Sequence, residues 1–292
     1  MAALTFPRVF LLVCVFISIS SAQFNSDYDI VQGDSSAESQ LDHSDEWVLD
    51  KRPEKDRPIR VFYGRVTSLS QFSLAIPEGG CASGNGGTKQ VTSLTAEQNG
   101  CLYATNGGFF NVGTGACIGT LVIDSKVIQE APAEKASFAV DGDYSQVMVG
   151  FFNSTTTQEL LQSNDGISQF ISGSGWLVRK GANYVNSTPD EDPNSSFVTE
   201  AAPRTALGID KFGAVWVVQA DGQERADFGF GLYEFANLLI GKPFELVQAV
   251  NLDGGGSSTS VYNNTVIDYP TCDDTWEKCE RNVTSITCLK AH

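Results

Sequence analysis

Apolar residues in this chain fall mostly into short runs of strand length. Residues 61–69, 72–76, 120–128 and 137–140 are rich in β-branched and aromatic side chains and are bounded by Gly and Asp-Gly turns, which predicts strands. The clearest helical period comes later, where Leu232, Phe235, Ala236, Leu239 and Ile240 recur at spacings of three and four before Gly241 and Pro243 end the pattern. That helix lies between apolar runs at 214–220 and 246–252. Together they read as a β-α-β unit over residues 213–253, with two parallel strands whose carboxyl ends share one sheet edge. The expected fold class is α+β: a single sheet-dominated domain with a mixed β-sheet and at least one β-α-β unit.

The flanks of this domain have a different pattern. Residues 1–22 hold one charge, Arg8, then an apolar run and Ser20-Ser21-Ala22, which is the form of a secretory signal peptide. The run is too short to span a bilayer, and after it no stretch of 18 apolar residues occurs, so no membrane span is expected in the mature chain. Residues 23–58 are acidic and thin in apolar side chains, a composition that predicts a flexible leader or pro-segment. Lys51-Arg52 and Arg57-Pro58-Ile59-Arg60 offer processing sites within or beside it. Residues 59–292 then form the main folded domain, in which 183–203, with three prolines and a run of acids, reads as a surface loop.

Composition narrows the compartment and the partners. Cys14 leaves with the signal, and the six remaining cysteines form an even set suited to three disulfides in an oxidising lumen. Cys272 and Cys279 are expected to pair because the loop between them is short and closes cheaply. Sequons at Asn153, Asn186, Asn194, Asn263 and Asn282 point to a glycoprotein of the secretory pathway, secreted or lumenal in the Golgi or endolysosomes. The mature chain has 18 basic against 35 acidic residues, a net charge of −17, which repels nucleic acid and anionic membranes.

The expected β-α-β unit also indicates where chemistry belongs. Asp221 and Asp253 stand at the carboxyl ends of its two strands, the edge at which open α/β sheets bind ligands. Asp253 sits in Asn251-Leu252-Asp253-Gly254-Gly255-Gly256-Ser257, where the glycines allow the backbone to approach a ligand closely. Asn106-Gly107-Gly108-Phe109-Phe110 repeats that logic with an amide, two glycines and aromatics, and Arg204 precedes another apolar strand. The only two histidines, His43 and His292, lie in the leader and at the last position, which argues against histidine-activated nucleophiles and a His-rich zinc site.

These segments, with Arg204-Thr205-Ala206-Leu207-Gly208 and Ala220-Asp221-Gly222-Gln223, resemble the phosphodiester glycosidase family in order and approximate spacing, from about Val61 to Cys288. The resemblance implies removal of α-linked N-acetylglucosamine from N-acetylglucosamine-α-phospho-mannose, exposing mannose 6-phosphate on lysosomal glycoproteins. It also implies the pairings Cys81–Cys117 and Cys101–Cys288, with phosphorylated glycans as partners and no cofactor, a bound divalent cation being left open. Asp253 and Asp221 are the expected carboxylates, one as nucleophile or base and the other as its partner, and Arg204 is expected to hold the phosphate. Asn106, Gly107, Gly108, Asn251, Gly254, Gly255 and Ser257 are the expected substrate contacts. Rival readings are a metal-dependent phosphodiesterase with Asp221 and Asp253 as ligands, and a glycan-binding module without turnover.

Overall fold

The computed structural model describes residues 26–34, 36, 38–49, 59–81, 86–131, 134–163 and 166–291; the signal segment and Lys51-Arg52 lie outside the described residues. Three sheets of seven, six and five strands account for most of the regular structure. The seven-stranded sheet runs Ala182–Asn183, Trp176–Arg179, Leu246–Asn251, Arg204–Asp210, Val215–Ala220, Ile59–Val66, Leu41–Leu49.

All residues of its two middle strands are buried because both faces are covered. On one face Leu207, Val217 and Val250 pack with Phe138 and Val149 of the six-stranded sheet and Tyr103 and Leu289 of the five-stranded sheet. On the other, Ala206, Val218 and Ala249 meet Leu232, Phe235, Ala236 and Leu239 of the helix Leu232–Ile240. Full burial contributes about 1.5–3 kcal/mol for each large apolar side chain, so this stripe anchors the helix.

Val215–Ala220 and Leu246–Asn251 run in the same direction, each antiparallel to Arg204–Asp210, which lies between them. The expected mixed sheet is not what forms, since every ladder between the named strands is antiparallel. An antiparallel strand covered on both faces carries the same continuous apolar run as a parallel one, so the pattern alone does not separate the two.

The acidic leader departs from expectation too. Rather than remaining flexible throughout, it adds Asp27–Gln32 to the edge of the six-stranded sheet and Leu41–Leu49 to the edge of the seven-stranded sheet. Its acids take part in this docking. Arg179 ion-pairs with Asp27 at 2.7 Å and Asp29 at 2.9 Å, Arg65 with Asp42 at 3.2 Å, and the His43 ring stacks on Tyr262. Edge strands accept charged side chains that a central strand would exclude, which is why composition concealed them.

Disulfides join Cys81 to Cys117, Cys101 to Cys288 and Cys272 to Cys279. The 183–203 segment contains a 3₁₀ turn, Val185–Ser187, and a short helix, Ser196–Thr199. Asn186, Asn194, Asn263 and Asn282 are exposed, whereas Asn153 is half-buried and caps the helix Ser154–Gln162 by accepting a hydrogen bond from the Thr156 amide. Among the described residues no helix is long and apolar enough to cross a membrane.

Candidate active site

Arg204 begins its strand directly opposite Ala220, and Asn251 ends the next strand opposite Ala206, so both lie at one edge of the seven-stranded sheet. Beyond Asn251 the chain turns through Asp253 and the glycines. A cleft of about 200 Å³ opens there, lined by Arg204, Glu224, Asp253, Gly254, Gly255 and Arg281, with Glu200 and the rings of Phe109 and Phe197 at its side.

Asp253 is fixed through its backbone. Its amide donates to the Gly107 carbonyl at 3.2 Å, and its own carbonyl accepts from Asn106 Nδ2 at 2.5 Å. The carboxylate accepts from the Gly254 amide at 3.0 Å. Burial pushes its pKa up to about 6, against the Ser257 hydroxyl, the Arg281 charge and the Gly254 amide, which hold it down. Such a group exchanges protons readily at mildly acidic to neutral pH.

Arg204 is 3% exposed and is held by three backbone carbonyls: Nε donates to Phe230 at 2.8 Å, and Nη2 to Phe197 at 2.9 Å and Glu200 at 2.8 Å. Among the described residues Nη1 has no hydrogen-bond partner and no carboxylate pairs with the guanidinium. Burial lowers its pKa to about 10, opposed by Glu200 and Glu224, so it stays charged at physiological pH. Arg281 supplies a second cation; its Nε donates to the Cys272 carbonyl at 2.9 Å, and Nη2 lies 3.3 Å from Asp274. Gly256 must lack a side chain because a Cβ there would run into that guanidinium.

Glu224, like Arg281, is a cleft residue that sequence reasoning missed. It opens the 3₁₀ turn Glu224–Ala226, capped by Gln223, and its Oε2 lies 2.7 Å from where a Cβ on Gly255 would stand. Burial raises its pKa, as do the Asp274 and Glu200 carboxylates, while Arg204 lowers it. The signal was present in the sequence: Glu224 follows Asp221 by three residues, immediately after the block Ala220-Asp221-Gly222-Gln223.

Asp221 itself does not line the cleft. Side chains alternate along a strand, so with Ala220 on the same face as Arg204, Gln219 and Asp221 project to the opposite face. There Asp221 pairs with Arg60 at 3.1 Å and accepts from the Tyr269 amide and Gln219. Behind it Asp268 is fully buried, with neither carboxyl oxygen hydrogen-bonded, and burial and the Asp221 charge raise its pKa well above the usual carboxyl range.

The two asparagines are also corrected. Asn106 is completely buried, accepting from Thr205 Oγ1 at 2.9 Å and the Thr259 amide at 3.3 Å while donating to Asp253, so it positions Asp253 and is closed to a sugar. Asn251 is 1% exposed and donates to the Ser174 carbonyl at 3.0 Å. Gly107 packs on Ser285 and Gly108 on Ser172, leaving Gly254 and Gly255 as the predicted glycines that face the cleft. Ser257 is buried beneath Asp253, its hydroxyl 3.5 Å from Arg281 Nη1.

Comparison with known proteins places these features in context. A phosphodiester glycosidase family model matches residues 99–290. The human N-acetylglucosamine-1-phosphodiester alpha-N-acetylglucosaminidase is 33% identical over 249 residues, covering 80% of this chain and 46% of the relative. The mouse enzyme of that name is 34% identical over 247 residues, with coverages of 79% and 46%. This chain spans about half the length of the curated relatives it matches. Among solved structures, the zebrafish catalytic domain of the same name, auto-inhibited by its pro-peptide, has a TM-score of 0.75 at 28% identity, covering 92% of this chain and 89% of that one. A hypothetical protein from Synechocystis, 11% identical with a TM-score of 0.58 over 90% of this chain and 68% of its own, shares the fold.

Proposed function

Because the chain belongs to the phosphodiester glycosidase family, we propose that it hydrolyses the anomeric C–O bond of a sugar-1-phosphodiester, releasing α-linked N-acetylglucosamine from N-acetylglucosamine-α-phospho-mannose and leaving mannose 6-phosphate. The observation that carries this reading is the meeting of Asp253 with two guanidiniums, Arg204 and Arg281, in one cleft.

The guanidiniums suit a phosphodiester. Arg204 is held rigidly by its three carbonyl contacts and keeps Nη1 for the ligand, so it opposes the negative charge that builds on the leaving phosphate oxygen. A phosphate monoester leaves without full protonation. Asp253 faces the anomeric carbon, where its carboxylate stabilises the oxocarbenium-like charge or bonds to it. Phe109 and Phe197, edge to face with centroids 6.0 Å apart, offer the apolar surface against which a sugar ring stacks.

Residues 59–292 carry the reaction, with 1–22 as signal and 23–58 as a pro-segment by their composition, a reading supported by the pro-peptide of the zebrafish catalytic domain. Three disulfides and exposed sequons support a lumenal or extracellular site of action, with phosphorylated glycans on glycoproteins as substrates. The direct test is product analysis after incubation with N-acetylglucosamine-α-phospho-mannose. Free N-acetylglucosamine with mannose 6-phosphate is expected; N-acetylglucosamine 1-phosphate with mannose would mean P–O cleavage by a phosphodiesterase and overturn the assignment.

A further inference from the structure

Water must give up a proton when it attacks the anomeric carbon, and with Asp221 on the far face of the sheet, Asp253 lacks its expected carboxylate partner. Glu224 and Asp274 supply one from two separate segments. Asp274 lies inside the Cys272–Cys279 loop, and three contacts fix that loop against the cleft: Gln223 Nε2 donates to the Asp274 carbonyl, Arg281 Nε donates to the Cys272 carbonyl at 2.9 Å, and Arg281 Nη2 pairs with Asp274 Oδ2 at 3.3 Å.

The other oxygen, Asp274 Oδ1, is buried with no donor, and it lies beside Glu224 over Gly255: a Cβ on that glycine would stand 2.7 Å from Glu224 Oε2 and 3.7 Å from Asp274 Oδ1. A buried acceptor without a partner is costly, and a proton carried by Glu224 would satisfy it. We infer that Glu224 is the general base for the attacking water and that Asp274 is its positioning residue, receiving the hydrogen bond once Glu224 is protonated. This inference rests on the proposed glycosidase reading.

In the step so assigned, the water oxygen bonds to the anomeric carbon as the bond from that carbon to its leaving oxygen breaks. The leaving oxygen, of the phosphate in a single displacement or of Asp253 in a double one, keeps the electron pair, and the water proton passes to Glu224. Asp274, Glu200 and Asp253 face Glu224 as anions and Arg204 and Arg281 as cations. Burial, and after it the Asp274 and Glu200 carboxylates, hold the Glu224 pKa above its ordinary value, which strengthens the base.

The test uses the full secreted protein with N-acetylglucosamine-α-phospho-mannose and compares wild type, Glu224→Gln and Asp274→Asn, each with and without sodium azide, across pH. Glu224→Gln should lose about two to four orders of magnitude in kcat. Azide attacks as an anion with no proton to lose, so it should restore at least part of that loss and yield an N-acetylglucosaminyl azide. In Asp274→Asn the anion that raises the Glu224 pKa is gone, so the acidic limb of kcat/KM should move to lower pH; a merely structural Asp274 would lower the rate and leave the limb in place. An active wild type whose Glu224→Gln variant keeps its rate, or whose loss azide does not relieve while the Asp274→Asn limb stays fixed, would overturn the role of Glu224 alone. A folded wild type that releases no N-acetylglucosamine would overturn the glycosidase reading and this inference with it.

Discussion

Asn106→Ala separates a scaffold from a substrate contact. The side chain makes three hydrogen bonds in a site closed to solvent, with Asp253, Thr205 and Thr259. Truncation leaves a carbonyl, a hydroxyl and an amide unpaired, each costing about 1–3 kcal/mol, and local relaxation or an entering water would recover part of the total. A net loss of about 3–6 kcal/mol is a large share of the 5–15 kcal/mol typical of a whole domain. At about 2–4 °C per kcal/mol for a domain of this size, Tm should fall by about 6–24 °C. Because Asn106 holds the backbone of Asp253, the carboxylate also loses its aim, and a displacement near 1 Å costs about a hundredfold in rate. Thermal melts and steady-state kinetics on N-acetylglucosamine-α-phospho-mannose give both readouts. The expected signature is a lower Tm and a lower kcat with KM little changed. A raised KM with Tm and kcat intact would mean that Asn106 touches the sugar and would refute its scaffolding role.

Arg204→Lys keeps a charge but not the planar fork, so kcat/KM on the phosphodiester should fall by about two to three orders of magnitude, with a much smaller loss on a neutral N-acetylglucosaminide bearing an equally good leaving group; equal losses on both would leave Arg204 without a phosphate role. Asp268 has a raised folded-state pKa, so its contribution to stability is complete below the unfolded value of about 3.9 and is lost as pH rises through the folded value. Asp268→Asn should therefore raise Tm near neutrality and change it little near pH 4, and an equal change at both would contradict that linkage. Since Arg204 and Arg281 meet the phosphate in the proposed mechanism, treatment with a chelator should leave turnover unchanged; loss restored by calcium or magnesium would point to metal ligation by the cleft carboxylates.

Asp253 was legible from the sequence because a carboxylate followed by three glycines at a strand end is a local pattern, and the helix Leu232–Ile240 because its apolar spacing is local too. What escaped was long-range. Asp221 and Glu224 are three residues apart, yet strand alternation sends the first to the face opposite Arg204 and the following 3₁₀ turn carries the second to the cleft. Asp274 and Arg281 come from the carboxyl-terminal segment, whose relation to Arg204 depends on tertiary folding. The leader strands escaped because their anchors are ion pairs and backbone ladders at sheet edges, which leave no apolar period.

The same alternation explains how the site keeps a rigid base beneath a charged cleft. Asn106, Thr205 and Thr259 form a buried, hydrogen-bonded layer, with Asp221 and Asp268 buried near Ser260. Arg204, one residue before Thr205, points to the other face, where carbonyls from the 183–203 segment and from Phe230 hold its guanidinium. Adjacent residues of one strand thus divide two tasks: Thr205 braces the asparagine that positions Asp253, and Arg204 lines the cleft where the proposed mechanism places the phosphate. Packing interactions can secure the first without constraining the second, because the other charged groups around Arg204 in the cleft, Glu224, Asp253 and Arg281, are carried by turns and loops beyond the strand ends. Substitutions in the buried layer should accordingly change Tm and kcat together, whereas those at Glu224 should change rate and pH dependence while leaving the melt largely intact, a contrast that the Asn106 and Glu224 variants measure directly.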